Sequence, residues 1–247
     1  MEAIVLAGGL GTRLRAAVPG LPKPMAPVGS RPFLEHLLDY WMRQGVTRFV
    51  LSVGYKREAV AAHFGQAHRG VPVSYAIEDQ PRGTGGGLLL ARAALAAAGP
   101  FLVLNGDTFF EVSLEALRKF HAANRAAATL ALFRSPQQGR YTGIRIDQAG
   151  RILSLASAGE QGQPANGGVY LMERGLLDGG HWQTGKPLSL EEDILPTALA
   201  GGKRLYGLEC SGRFIDIGVP EDYARAGAVM GTARETGNRK QEIGNRK

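Results

Sequence analysis

The chain of 247 residues has one cysteine, Cys210. A lone thiol cannot form an internal disulfide or a cysteine-rich zinc site, so disulfide scaffolds and zinc modules are excluded. Apolar runs such as 88–91 and 93–98 fall far short of the roughly 20 residues that cross a bilayer. The first residues, Met-Glu-Ala-Ile-Val-Leu-Ala-Gly-Gly, lack the basic start and long apolar stretch of a signal peptide. A soluble, cytoplasmic protein with no membrane partner is the expectation. Aromatic residues make up only 7%, and none alternate with basic residues in a base-stacking stripe, which argues against nucleic acid as a partner. No Gly-x-Ser-x-Gly elbow is present, and no Gly-Lys-Ser/Thr closes a Walker loop. His63, His68, His121 and His181 show no metal-ligand spacing.

Glycine is abundant instead. The 35 glycines are about 14% of the chain, near twice the usual share of roughly 7%. The net charge is +7, which favours anionic ligands such as phosphates. Residues 231–247 contain five basic and two acidic residues, repeat Gly-Asn-Arg-Lys and have one branched aliphatic, Ile243. They read as a disordered basic tail, leaving the body a net charge of only +4.

Apolar runs at 3–6, 48–53, 71–77 and 101–104 read as strands. Helical patterns at 32–44, 58–64, 87–97 and 114–124 fall between or after them, with Ser30 and Ser113 as candidate caps. This alternation predicts an α/β, Rossmann-like three-layer sandwich with a mixed, mostly parallel central sheet. Strands are expected at 127–133, 143–147, 152–155 and 168–172, and a helix at 190–199. A closing strand pair at 205–210 and 214–217 and a helix at 220–229 follow. Residues 1–230 read as one domain, divided into halves at 125/126.

Four segments carry chemistry. Leu6-Ala-Gly-Gly-Leu-Gly-Thr-Arg-Leu14 delivers a glycine loop from a strand, and Pro22-Lys-Pro24 follows it. Bare amides at Gly8, Gly9 and Gly11 can approach phosphate, while Arg13 and Lys23 supply cations. The prolines flanking Lys23 are expected to hold its backbone extended. Glu78–Gly87 reads as a glycine turn entering a helix. Leu104-Asn-Gly-Asp107 ends an apolar strand, the edge where open α/β sheets bind ligands. Asp216 stands between Ile215 and Ile217, so its side chain points opposite to theirs and requires a partner or a metal.

The glycine loop together with Pro22-Lys-Pro24 resembles the signature of sugar-1-phosphate nucleotidyltransferases. The resemblance implies an enzyme joining a nucleoside triphosphate to a sugar 1-phosphate, with Arg13, Lys23 and Asp107 catalytic. It implies Leu6, Ala7, Gly8, Gly9, Gly11, Thr12, Gln80 and Gly85 at the nucleotide, alongside the same three residues. It implies Mg²⁺ on Asp107 and Asp216. Gly106, Tyr141, Gly143, Asn166, Gly167, Glu191 and Asp216 would meet the sugar phosphate. Phe214–Tyr223, Asn166–Tyr170 and Ser189–Asp193 are similar to stretches of the members that use GTP and a heptose 1-phosphate. Members acting on mannose 1-phosphate, or using UTP, dTTP or CTP, are the alternatives. A sensor that binds nucleotide sugars without turnover is a reading of another class. Where many relatives have a lysine for the sugar phosphate, this chain has Glu192, which also fits a Ser189-x-x-Glu192 capping box. The replacement cation is then expected at Arg213 or Lys203. Cys210 reads as a small core residue.

Overall fold

A computed structural model describes residues 1–14, 18–135, 139–141, 143–155, 161–178, 180, 182 and 186–231. The predicted tail beyond Gly231 lies outside the described residues. In chain order the first elements are β1 (Glu2–Leu6), β2 (Pro27–Val28), β3 (Arg31–Pro32), α1 (Phe33–Arg43), β4 (Arg48–Val53) and α2 (Arg57–Phe64). Next come β5 (Ala67–His68), β6 (Val71–Ile77), α3 (Gly83–Arg92), β7 (Phe101–Asn105), β8 (Thr108–Phe110) and α4 (Leu114–Ala123). The second half holds β9 (Ala128–Arg134), β10 (Ile144–Ile146), β11 (Ile152–Leu155) and β12 (Pro164–Met172). It closes with α5 (Leu195–Ala200), β13 (Leu205–Glu209), β14 (Phe214–Asp216) and α6 (Pro220–Val229).

Eight strands form one sheet in the order β13-β9-β12-β7-β1-β4-β6-β5. Only β12 and β5 run against the other six. The sheet is therefore mixed and mostly parallel, and strands from both halves of the chain share it.

Helices cover both faces because successive strand residues point to opposite sides. Ala3, Val5, Phe49, Leu51, Leu102 and Leu104 pack toward α1, α2 and α4. Ile4, Val50, Phe101 and Val103 pack toward α3, α5 and the turn before α5. On α1, Phe33, Leu37 and Trp41 recur every fourth residue and are completely buried or nearly so.

Local signals explain several boundaries. Ser113 Oγ accepts from Ala116 N and caps α4. Ser30 does not cap α1: it lies in the Gly29-Ser30 turn of the β2–β3 hairpin, and Pro32 leads into the helix with no side-chain cap. Helix α3 starts at Gly83, four residues before its predicted start, and ends at Arg92. Neighbours leave no room for side chains at its glycines. A Cβ on Gly85 would lie 2.9 Å from Ile194 Cδ1 and 3.0 Å from the Leu188 carbonyl oxygen. The predicted pairing of the last two strands is not formed. β13 joins the main sheet beside β9, and β14 pairs with β8. That second pairing carries Asp216 to the site.

Candidate active site

The ends of β1, β6 and β7 open on a cleft of about 270 Å³. Leu6, Ala7, Gly8, Gly9, Lys23, Glu78, Thr84, Asn105 and Asp107 are among its walls. Ala7 N still bonds to Ser52 O at 2.8 Å, so the chain leaves the sheet only at Gly8. Gly11 has φ +57°, and a Cβ there would lie 2.8 Å from Lys23 Cβ. The loop and the Pro-Lys-Pro segment thus pack directly on each other. Leu14, 1% exposed, anchors the loop. Thr12 and Arg13 are exposed and do not line the cleft.

Lys23 opens a 3-10 turn that closes through Met25 N to Pro22 O and Ala26 N to Lys23 O. Its backbone is therefore turned; only Pro22, with ψ 147°, is extended. The turn aims the ammonium inward. Lys23 Nζ lies 2.5 Å from Asp107 Oδ2 and 3.5 Å from Asp216 Oδ1.

The two carboxylates meet through backbone pairing. Gly106 N bonds to Leu6 O at 2.9 Å, an approach that a Cβ on Gly106 would block at 2.8 Å. Ile217 N bonds to Asp107 O at 3.0 Å, and Asp216 pairs with Thr108 across β14 and β8. Ile215 and Ile217 are buried while Asp216 faces Lys23, as the alternation requires. Burial, then the charge of Asp107, pushes the Asp216 carboxyl above its ordinary range, against the pull of Lys23 and Gly218 N. Two hard-oxygen carboxylates already sharing one cation fit a divalent ion such as Mg²⁺.

A second group of side chains adjoins the cleft. Glu191 Oε1 accepts from Tyr170 Oη at 2.7 Å, and Oε2 accepts from Thr84 Oγ1 at 2.7 Å. Asn166 Nδ2 donates to Tyr170 Oη at 2.6 Å. Burial, then Glu191, raises the pKa of the fully buried Tyr170. Gly167 and Gly168 sit where the β12–β9 pairing is irregular, between Asn166 and Tyr170. Gly168 has φ +71°, which brings its backbone against Asn105 and Thr108. Gly143 bridges to Ala165, beside Asn166. Tyr141 packs its ring on Phe133 and Phe214, with centroids 5.1 and 5.7 Å away, and burial pushes its hydroxyl pKa up to about 12.

Gln80 and Gly85 are placed differently from the expectation. Gln80 is exposed and lines the neighbouring groove with Trp182 and Lys186. The amides of Gly85 and Gly86 both donate to Leu188 O, at 2.8 and 3.2 Å, so they do not face the cleft. Arg213 is bound in a fork by Glu111. Lys203 precedes β13, at the sheet edge opposite the cleft. Glu192 is exposed; its amide bonds to Ser189 Oγ, but the carboxylate that bonds back to Ser189 N belongs to Asp193.

Two cleft residues escaped the sequence reading. Glu78 is 8% exposed and accepts from Ser52 Oγ at 2.7 Å and Arg82 N at 3.2 Å. The buried Asn105 Oδ1 has no hydrogen-bond partner. Both directly follow or end apolar strands at the binding edge, which was the available signal. The histidine spacing likewise concealed a cluster: His68, Glu35 and Asp39 converge within 4.8 Å. Arg31 and Arg69 already pair with these carboxylates, so the cluster is a charge-balanced network. Cys210, its thiol raised to about 11 by burial, is unsuited to nucleophilic chemistry.

An α/β sheet with a glycine cleft, a placed lysine and paired aspartates defines a protein that handles phosphorylated ligands. The model of the family described as nucleotidyl transferase matches residues 2–232, and the chain belongs to that family. It is 37% identical over 227 residues to the D-glycero-α-D-manno-heptose 1-phosphate guanylyltransferase of Aneurinibacillus thermoaerophilus, covering 92% of this chain and 96% of that one. The mannose-1-phosphate guanylyltransferase of Mycobacterium tuberculosis is 34% identical; the match covers 93% of this chain and 64% of that protein. The crystal structure of HddC from Yersinia pseudotuberculosis complexed with GMP-PN superposes with a TM-score of 0.77 at 30% identity. It covers 92% of this chain and 98% of that chain.

Proposed function

We propose that the protein transfers a guanylyl group from GTP to D-glycero-α-D-manno-heptose 1-phosphate, giving GDP-heptose and pyrophosphate. The observation that carries this reading is the convergence of Lys23, Asp107 and Asp216 beside a glycine-walled cleft whose wall residue Thr84 is bonded to Glu191. Phosphate chemistry and a hydroxyl-accepting group then share one site. Heptose is favoured by the match at 37% identity that spans nearly the whole of both chains.

GTP is supported by the chemistry of Glu78. Guanine presents N1–H and the N2 amino group side by side, two donors that a carboxylate accepts together. Uracil and thymine present one N–H between two carbonyl oxygens, which a carboxylate repels.

In the reaction, a phosphate oxygen of the sugar 1-phosphate attacks the α-phosphorus of GTP in line. The bond from that phosphorus to the bridging oxygen breaks, and pyrophosphate leaves with the electron pair. No covalent enzyme intermediate is required. The protein's work is positioning and charge stabilisation. The glycine loop admits the triphosphate. Lys23, and Arg13 on turning inward, neutralise charge developing on the α-phosphate and the leaving group. Glu191 and Asn166 orient sugar hydroxyls. Asp107 and Asp216 would hold Mg²⁺, which supplies further neutralisation of phosphate charge. The product would feed cytoplasmic synthesis of a surface glycan.

The test is a pyrophosphate-release panel of GTP, UTP, dTTP and CTP against heptose, mannose and glucose 1-phosphates. GTP with heptose 1-phosphate is expected to be the best pair. A best pair with another nucleotide or sugar would replace this reading, with mannose 1-phosphate as the nearest competitor.

A further inference from the structure

The polar atoms around Tyr170 can be accounted for one by one. Its hydroxyl has one proton and two lone pairs. The proton goes to Glu191 Oε1 at 2.7 Å. Asn166 Nδ2 donates to Oη at 2.6 Å. The Asn105 side chain also bonds to the tyrosine, and that bond lowers the tyrosine pKa against burial, as a donor to Oη does. The hydroxyl is then fully used, and the Asn105 amide nitrogen is spent on it.

The oxygens of this group have donors, with one exception. Asn166 Oδ1 accepts from Gly168 N at 3.0 Å. Glu191 Oε2 accepts from Thr84 Oγ1 at 2.7 Å and Ser189 Oγ at 3.3 Å. Thr84 Oγ1 accepts from Leu190 N at 2.8 Å. Asn105 Oδ1 is buried and has no donor among the described residues. Turning the amide over does not help, because its oxygen would then face a hydroxyl whose only proton is held by Glu191. Asn105 ends β7 beside Leu6 of β1, and both residues line the cleft. Gly168, with φ +71°, closes on its other side. An acceptor that has lost water and gained no donor destabilises the protein that carries it. The terminal torsion of an asparagine is soft, so the oxygen can lean toward a donor in the cleft while the nitrogen stays at Tyr170.

We infer that Asn105 determines sugar specificity: its Oδ1 accepts a hydrogen bond from one hydroxyl of the sugar 1-phosphate. Asn105 shares Tyr170 with Glu191 and Asn166, the residues proposed above to meet the sugar, so the free acceptor belongs to the same side of the cleft. An amide oxygen has no proton to give. It selects a ring position that bears a hydroxyl and rejects one that lacks it. The inference rests on the transferase reading above.

The experiment compares wild type with Asn105→Leu, which keeps the shape and removes both polar atoms, and with the smaller Asn105→Ala. Steady-state pyrophosphate release is read with GTP and heptose 1-phosphate, with monodeoxy heptose 1-phosphates, and with 2′- and 3′-deoxy-GTP. Asn105→Leu is expected to raise the KM for the sugar 1-phosphate by about 5- to 50-fold while the KM for GTP holds. Wild type should lose a similar factor on one of the monodeoxy sugars, and neither variant should distinguish that sugar from the parent. The ligand-free melting temperature of Asn105→Leu should stay near wild type, since the acceptor it removes is unpaired. An unchanged sugar-phosphate KM overturns the assignment, as does an equal rise in both KM values with a lower melting temperature. Wild type and variants that discriminate every deoxy sugar alike overturn it too. Lost discrimination against a deoxy-GTP instead would give the acceptor to the ribose of the nucleotide and equally refute it. If the wild type releases no pyrophosphate with any sugar 1-phosphate, the transferase reading fails instead. Calorimetric titration with the same sugars then decides for Asn105, and equal binding by wild type and both variants refutes it.

Discussion

Lys23 Nζ sits 2.5 Å from Asp107 Oδ2, with Asp216 on its other flank at 3.5 Å. The ammonium thus occupies the space between the two carboxylates that a divalent cation would use. A metal entering there has to displace it, and the freed ammonium faces the cleft that Lys23 already lines.

Replacing Lys23 should therefore move two measurements in opposite directions. Lys23→Met is expected to lower kcat on the order of 10²- to 10³-fold, the usual cost of a lost preorganised donor. Calorimetric affinity of the nucleotide-free protein for Mg²⁺ or Mn²⁺ should tighten, because an attached competitor is gone. Weaker metal binding in the variant would contradict the arrangement.

Asp216 is held in the site at a cost to the fold. Burial, then the charge of Asp107, raises its pKa in the native state, so the native protein binds this proton more tightly than the unfolded chain. Its contribution to stability is complete below the unfolded value of about 3.9 and is lost as pH rises through the raised native value. Asp216→Asn should accordingly raise the melting temperature at pH 7 and change it little near pH 3. The same variant should lose turnover by about 10²-fold or more. A lower melting temperature at pH 7 would reverse the assigned sign.

Tyr170→Phe keeps the ring and removes the hydroxyl that joins Asn166 to Glu191. About 1–2 kcal/mol of stability should be lost in denaturant unfolding. Kinetically, the KM for the sugar phosphate should rise while that for GTP stays near wild type.

Gly85 and Gly9 make a matched pair. Alanine normally favours a helix by about 1 kcal/mol over glycine. At Gly85 the added methyl meets Ile194 and the Leu188 carbonyl, so Gly85→Ala should instead destabilise by about 1–3 kcal/mol and raise both KM values. Gly9 has nothing within 4 Å of its Cβ position, so Gly9→Ala should leave stability near wild type.

The buried network around α1 predicts acid sensitivity. Burial pushes Asp39 upward, but His68, Arg69 and Arg31 outweigh it, and its pKa falls below the usual value. That stabilisation is present above the unfolded pKa and is lost as pH falls through the lowered native value. Asp39→Asn should cost about 2–3 kcal/mol at pH 7, below the range for a fully buried pair because Arg69 is solvent-exposed. In chemical denaturation the difference from wild type should vanish toward pH 2.

The alternation of strand and helix was legible because a sheet covered on both faces demands buried, largely apolar strands at β1, β4 and β7. The Lys23–Asp107–Asp216 convergence was legible in its members, though its geometry rests on pairing across more than a hundred residues. Local pattern fails where distant contacts decide. Gly83–Gly87 reads as a turn by propensity, yet Leu188, Ile194 and Glu78 leave room only for a helix without side chains. Glu78 reads as the first polar residue of a loop, and only folding shows it buried in the cleft wall.

The Leu188 carbonyl has a broader consequence. It accepts from both Gly85 and Gly86, while Leu190 N bonds to Thr84 Oγ1 and Thr84 bonds to Glu191. The segment that carries Glu191, the proposed sugar contact, is thereby fastened to α3, whose first residues wall the cleft proposed for the nucleotide. Sugar preference and nucleotide preference are not separable cassettes in such a molecule. A chimera that exchanges residues 186–194 alone inherits a register mismatch at α3, and both preferences drift together unless the helix is exchanged with it.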